Sequence, residues 1–579
     1  MPVDADIEKF IKVITLKNSV EHDGNAQFDA VISKFMGSRP EQRGQIKALI
    51  PEIKVIVQGV NAMPLADQKS LLEELAPGES AASPKKQVAE QPQLPPLERA
   101  VHGKVVTRFP PEPNGYPHIG HAKAAIIDQE YARMYGGKLI LRFDDTNPAK
   151  EKLEYYDAIR EGLEWLGVKP DIVKNTSDDI EILHQYGNKL VEIGGAYVCT
   201  CSPDTIHDLR AKGLSCECRR DSATALERLG RMFDGSYEQN EAIIRFKGQM
   251  DDQNTAMRDP ALFRILEGDH PRLGNKIRVW PTYDFAAPIE DSIDGVTHAM
   301  RTKEYELRNA LYFAILDRLG LRKPEMIEFS RLEFEGVPVS KRKLKPLIED
   351  GKVKSWDDPR LPTLAAFRRR GFAPEAIRKF VLSLGITLAE TKPPFEALEA
   401  YNRKIIDPIS PRLFFLKSPI EVQIAGAKEK EVVLKNHPTD PSLGTRRVRV
   451  ADTFYIAGAD AASLKLDDTI RLIELYNIKI TGIDTGGDNR VINAQVAGDE
   501  IRQSMPKVQW IAKNDIVEYK VMIPKELYKG DEYNTNSLEI AQGFAESFVS
   551  YLKPDTMVQF VRFGFCRIDS NNQAIMTHR

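Results

Sequence analysis

The pattern of apolar and polar positions changes character several times along the chain. Up to about Leu75 it has a helical period: Phe28, Val31, Ile32 and Phe35 fall at i, i+3, i+4 and i+7, one face of a helix, so residues 1–75 are expected to form a small helical module. From 76 to 98 the period is lost. Pro77, Pro84, Pro92, Pro95 and Pro96 stand among Ser, Ala and Gln, a composition that favours an extended linker over a packed element. Residues 104–109 then read as a strand ending at Pro110-Pro111 and a Gly-containing turn, before a helix that begins near His118. A second strand is expected over 138–143, with Leu139 and Leu141 alternating against Ile140; Asp144 and Asp145 follow at its C-terminal end, where open α/β sheets bind ligands. Beyond about Ile406, short runs at 431–434, 447–450 and 517–521 alternate with Gly, Asn and Asp turns, a spacing that predicts barrels.

Composition narrows the class of protein. A chain of 579 residues exceeds what one core can organise, so several domains are expected. Hydrophobic residues at 42% and charged residues at 28% are ordinary globular values, which excludes wholesale disorder and gives no sign of a membrane protein. The N-terminus lacks a signal-peptide pattern and no apolar stretch approaches a membrane span, so a cytoplasmic location without membrane contact is expected. A net charge of -3 supplies no bulk attraction for nucleic acid. RNA binding would have to come from local clusters such as Lys341-Arg342-Lys343 and Arg368-Arg369-Arg370.

The chemistry concentrates in a few segments. In Arg108-Phe109-Pro110-Pro111-Glu112-Pro113-Asn114-Gly115-Tyr116-Pro117-His118-Ile119-Gly120-His121, two histidines three apart share one face at a helix start, beside the positive end of the helix dipole. That is an anion site, in which imidazole N–H groups can hold phosphate oxygens and Gly120 leaves room for an adenine at the backbone. Downstream come Ser330-Arg331-Leu332 and the basic loop Val339-Ser340-Lys341-Arg342-Lys343-Leu344; taken alone such a loop is commonly a solvated surface. Between them lie Trp280-Pro281-Thr282-Tyr283-Asp284-Phe285 and the segment from Gly295 to Thr302, which read without other context as a turn with core aromatics and a strand end. Four of the five cysteines form the pairs Cys199-Thr200-Cys201 and Cys216-Glu217-Cys218, with fourteen residues between the pairs. In a reducing compartment four such thiolates suit a tetrahedral zinc ion, although Cys-x-Cys is tighter than the usual spacing.

Together the first string resembles the HIGH signature of class I aminoacyl-tRNA synthetases, in the form shared by glutaminyl and archaeal glutamyl enzymes, and the basic loop looks like the KMSKS loop of that family, spelled Val-Ser-Lys-Arg. The resemblance covers 101–579. It implies a multi-domain α/β plus all-β fold: a Rossmann-type catalytic domain over 99–345 with an acceptor-binding insertion at 190–275, a helical connector over 346–405, and β-barrel anticodon-binding domains over 406–579. It further implies a reaction in which ATP, with Mg2+, activates glutamate for transfer to the terminal ribose of tRNA(Glu), tRNA(Gln) as a second acceptor being left open. By the same resemblance His118, His121 and Lys341 are catalytic. The HIGH-region and ATP-binding set is Pro111, Glu112, Pro113, Asn114, Gly115, Tyr116, Pro117, Ile119, Gly120, Thr302, Arg331, Leu332, Val339 and Ser340. Arg108, Asp144, Tyr283 and Arg301 line the amino-acid pocket, with Asp144 holding the substrate ammonium. Arg301 is the point at which glutamyl and glutaminyl enzymes, the nearest alternative, are expected to differ; its plain reading is an exposed Arg paired with Glu304 or Glu306. The zinc ligands would be Cys199, Cys201, Cys216 and Cys218. Arg471 and Trp510 are anticodon-contact candidates, a monomer is expected, and the N-terminal module is read as a docking element for another protein or for tRNA.

Overall fold

Periodicity becomes packing first at the N-terminus, where α1 (Ala5–Glu21), α2 (Phe28–Ser38), α3 (Ile46–Asn61) and α4 (Leu65–Leu75) build a small bundle. Val31 and Phe35 of α2 are fully buried with Ile11 and Ile53. The computed structural model describes all residues except 1–4, 22–23, 39–45, 77–93, 222–223, 391, 485–489 and 503–504, and separates into two units, Met1–Gln91 and Pro92–Arg579. In the first unit the buried Gln68 carboxamide donates to Gly24 O, Val60 O and Met63 O and accepts from Ser19 Oγ, so every polar atom that α4 buries there has a partner.

Most of the Pro-rich run expected as a linker over 76–98 lies outside the described residues. Its last residues do not behave as a linker. Leu94 and Leu97 are buried in the core of the second unit, Tyr131 donates to Pro95 O (2.9 Å), and Leu97 N donates to the Tyr135 hydroxyl (2.8 Å). Two leucines spaced to enter one apolar surface outweigh the extended bias of the prolines between them.

The second unit opens with β1 (Val106–Phe109), α5 (Ile119–Met134), β2 (Lys138–Phe143), α6 (Leu153–Trp165) and β3 (Ile172–Asn175), the three strands parallel in the order β1-β2-β3. Only Lys138 of β2 is exposed, because a central parallel strand is covered on both faces, so its apolar run is continuous rather than alternating. After α7 (Ile180–Glu192) comes an insertion: β4 (Ala196–Cys199), α8 (Pro203–Lys212), α9 (Glu217–Arg220), α10 (Ala225–Phe233), β5 (Ile243–Phe246), β6 (Ala261–Ile265) and β7 (Val279–Pro281), its strands antiparallel in chain order. The chain then makes α11 (Tyr283–Ile293), β8 (His298–Thr302), α12 (Asn309–Leu319) and β9 (Glu325–Phe329), with β8 and β9 parallel. Thr297 N donates to Val106 O at 2.9 Å, which sets β8 beside β1. Strand order therefore reverses between β1 and β8, and the C-terminal ends of the strands there, after Phe109 and after Thr302, flank the crevice in which open α/β sheets bind ligands.

Four helices follow, α13 (Lys341–Glu349), α14 (Leu364–Arg370), α15 (Pro374–Leu384) and α16 (Phe395–Ile406). Two seven-stranded, barrel-like sheets complete the chain, one within 420–512 and the other combining 412–417 with 516–578. A separate two-stranded hairpin, 528–533, packs on α13: Leu527 is buried against Leu344 and Leu347, and Tyr528 N donates to Gly336 O. Trp510 is buried in the first of these sheets and donates from its indole to Ile473 O at 2.7 Å, so its side chain belongs to the core and not to an exposed stacking surface. Arg471 is held by Asn477 Oδ1 and Asp499 O. In the run 368–370 only Arg368 is exposed, since Arg369 pairs with Asp357 and Asp569 while Arg370 pairs with Glu399 and donates to Thr577 O.

Candidate active site

The loop after β1 is held at both ends. Asp144 N donates to Pro111 O, Lys152 N to Pro113 O, and Asn114 N turns back onto Glu112 O. Tyr116 stacks on Trp356, ring centroids 5.4 Å apart, and meets Tyr155 edge-on. Ile119 N donates to Pro362 O and Leu364 N to Pro117 O, so the segment before α14 clamps the start of α5.

His118 is the N-cap of α5. Its Nδ1 accepts from Gly120 N (3.1 Å), and His121 Nδ1 accepts from His118 N (3.2 Å), a reciprocal capping box built from two imidazoles. Because both Nδ1 atoms accept, both Nε2 atoms carry the proton and are free to donate. Desolvation lowers both rings, His121 to about 4 and His118 well below its ordinary value, with neighbouring His121 and Arg331 adding to the effect on His118. At neutral pH this is a pair of uncharged N–H donors at a helix N-terminus. Gly120 is demanded by the capping geometry itself: a Cβ there would lie 2.9 Å from His118 Cε1, with Leu332 O 3.7 Å away.

Lys341 begins α13, one residue after Ser340, whose carbonyl accepts from Lys343 N and Leu344 N. The Lys341 ammonium stands 5.4 Å over the Tyr155 ring and beside Gly115, and desolvation lowers its pKa against the pull of Glu112. Val339 packs on the catalytic core. Leu332 is buried; Arg331 pairs with Glu304, and Thr302 closes β8.

A second group gathers between β1, β2, β8 and α11. Arg108 is fully buried, its Nε on both oxygens of Asp291 (3.0 and 3.1 Å) and its Nη1 on Met300 O (2.7 Å). Arg142 reaches Asp144, Asp291 and Asp294. Burial alone would lower Arg108, but Asp291 holds it above its ordinary value; burial likewise opposes ionisation of Asp291, which Arg108 and Arg142 nonetheless pull down. Asp144 accepts from Arg142 Nε and Thr176 Oγ1, both at 3.1 Å, and burial raises it although Arg142 works the other way.

Arg301 is 5% exposed, with the rings of Tyr283, Tyr305 and Tyr312 at 5.5, 4.9 and 5.4 Å from its guanidinium carbon. Its Nη1 donates to Asn309 Oδ1 (3.2 Å) and its buried Nε has no hydrogen-bond partner. Among the described residues no carboxylate pairs with it; Glu304 pairs with Arg331 instead, which removes the plain surface-pair reading. A buried, unneutralised cation is costly to keep, and such a group is suited to receive an anionic ligand.

The four cysteines converge at the base of the insertion, all sulfurs within 4.8 Å of one another. Cys199 and Cys216 are 3.9 Å apart and Cys201 and Cys218 3.8 Å, too far for a disulfide, whereas ligands 2.3 Å from a tetrahedral zinc are separated by about 3.8 Å. The buried Arg245 lies 3.8 Å from Cys199 Sγ and from Cys216 Sγ, where it can offset thiolate charge. Asp179, Glu290 and Asp294 also cluster, but the Lys174 ammonium already occupies their centre.

Sequence reasoning passed over Arg142, Asp291, Tyr305 and Asn309. Arg142 alone carried a signal, an Arg inside an apolar strand run; the others lie in ordinary helical or turn sequence and acquire meaning only through their neighbours.

The catalytic-domain profile of the class I tRNA synthetases (E and Q) matches residues 104–408, and the two anticodon-binding-domain profiles of the same group match 410–497 and 507–569. The chain belongs to this family. A glutamate–tRNA ligase of Nitrosopumilus maritimus is 48% identical over the full length of both chains. The enzyme of that name from Cenarchaeum symbiosum is 49% identical over 99% of this chain and all of its own, and that of Pyrococcus furiosus 41% identical over 97% of each.

Proposed function

We propose that this protein is a glutamate–tRNA ligase of the archaeal type. The observation that carries the reading is Arg301, a buried cation without a carboxylate partner among the described residues, framed by the ring of Tyr283. A planar guanidinium can take the γ-carboxylate of glutamate bidentately, whereas the amide of glutamine would leave the charge unmatched. Asp144 would receive the substrate ammonium, which reinforces its ionised form, while Arg108 holds the floor of the pocket through Asp291. An α-carboxylate oxygen then attacks the α-phosphorus of ATP and the bond to pyrophosphate breaks. Neutral His118 and His121 donate Nε2–H to phosphate oxygens and Lys341 adds a mobile positive charge, so the roles are electrostatic and neither imidazole is a base. In the second step a hydroxyl of the terminal tRNA ribose attacks the glutamyl carbonyl and AMP leaves. Mg2+ accompanies ATP.

Zinc belongs to the reading as a structural brace of the insertion, held by Cys199, Cys201, Cys216 and Cys218; the supporting facts are the sulfur separations and Arg245. Metal analysis should find about one zinc per chain, and a metal-free protein with four titratable thiols would remove it. The remaining parts are a cytoplasmic monomer that charges tRNA(Glu), with an N-terminal module that docks another protein or tRNA. Charging assays with glutamate and glutamine, each against tRNA(Glu) and tRNA(Gln), test the whole: glutamyl-tRNA is expected, and glutaminyl-tRNA as the sole product overturns it.

A further inference from the structure

Arg301 keeps its charge unpaired although a carboxylate sits next to it in the sheet. In the parallel pair β8–β9, Arg301 is the register partner of Glu328. Partnered residues on adjacent strands point to the same face, within reach of one another for side chains of this length. The two nevertheless do not form an ion pair, because the carboxamide of Asn309, first residue of α12, stands between them: its Nδ2 donates to Glu328 Oε1 at 2.5 Å and its Oδ1 accepts from Arg301 Nη1 at 3.2 Å.

The orientation of this amide is set from both sides. A carboxylate accepts only and a guanidinium donates only, so the nitrogen must face Glu328 and the oxygen Arg301. The amide thereby occupies Glu328 with a neutral donor and gives Arg301 a neutral acceptor, and the positive charge remains available. The three tyrosine rings hold the guanidinium without neutralising it.

We propose that Asn309 is a specificity-positioning residue: it insulates Arg301 from Glu328 and so reserves the guanidinium for the anionic side chain of the amino-acid substrate. This rests on the reading of Arg301 as the γ-carboxylate ligand. Without the amide, Glu328 becomes an internal competitor for the cation.

The test compares Asn309→Ala, Asn309→Ala with Glu328→Gln, and the isosteric Asn309→Asp in the full-length enzyme, measuring KM for glutamate and for ATP by ATP–pyrophosphate exchange in the presence of tRNA(Glu). The expected result is a glutamate KM raised roughly ten- to a hundredfold in Asn309→Ala with KM for ATP unchanged. Glu328→Gln in that background should recover most of the loss, because the competing charge is gone. Rescue by a second substitution is something a purely structural role for Asn309 does not produce. Asn309→Asp, nearly the same size, supplies the competing carboxylate directly and should raise the glutamate KM again; it keeps the proposal testable if Asn309→Ala fails to fold. A glutamate KM within twofold of wild type in both single variants, or no recovery in the double variant, overturns the insulation. Failure of the wild-type enzyme to activate glutamate would instead overturn the functional reading beneath it, and the two failures are distinguished by the wild-type control.

Discussion

Replacing Arg301 with cysteine separates a glutamate pocket from every neutral alternative. In the free enzyme the guanidinium is 5% exposed, leans on three aromatic rings and makes one hydrogen bond to Asn309. Each such cation–π contact contributes about 0.5–2 kcal/mol, which offsets part of the cost of burying the charge. With the substrate bound, the guanidinium and γ-carboxylate form a buried, charge-assisted pair, and removing one partner leaves the other carboxylate in a cage of tyrosines. That loss is about 3–5 kcal/mol, or roughly two to three and a half powers of ten in kcat/KM for glutamate. Glutamine brings no charge, so its kcat/KM should fall little or rise once the unmatched cation has gone. The assay is the ratio of kcat/KM values for the two amino acids in ATP–pyrophosphate exchange with tRNA present. Arg301→Cys is expected to lower that ratio by at least about a hundredfold. A variant that keeps the wild-type preference for glutamate would refute the reasoning and point to another cation in the pocket.

Three further expectations follow from the same geometry. Lys341→Ala should slow adenylate formation by roughly two to three powers of ten and leave the glutamate affinity nearly unchanged, since a phosphate-directed charge acts on the transition state; an unaltered single-turnover rate would exclude the role. His121 is held near pKa 4 against an unfolded value of 6.5, so between those values the unfolded chain binds more protons and stability falls as pH falls from 6.5 towards 4. His121→Asn should flatten that part of the stability–pH curve measured by chemical denaturation, and an identical slope in the variant would contradict the assignment. Removal of residues 1–91 should leave aminoacylation largely intact, whereas a cut extended through Pro96 takes Leu94 out of the catalytic core and should lower the melting temperature; equal melting temperatures for the two truncations would show that Leu94 contributes nothing.

What the sequence determined by itself was whatever is written in contiguous residues. The strand, loop and helix around His118 and His121, the basic loop at Lys341, the four clustered cysteines and the β-rich region beyond about residue 406 all declare themselves locally, because a helix face, a turn or a metal-ligand spacing is a short-range pattern. Leu94 and Leu97 show the limit of such patterns, since apolar side chains between prolines look like a linker until the surface that receives them exists. Trp510 and the arginines at 369 and 370 show the same limit in reverse: an aromatic or a basic run suggests RNA, and only the fold reveals an indole in a barrel core and guanidiniums committed to Asp569 and Glu399. The tertiary structure alone decided the electrical state of the pocket. Arg108, Arg142 and Asp291 come from three separate elements, and Arg301, Asn309 and Glu328 from three others. Whether a buried charge is neutralised depends on which groups lie within a few ångströms of it, and that neighbourhood is created by strand register and helix placement, which no local stretch of sequence contains.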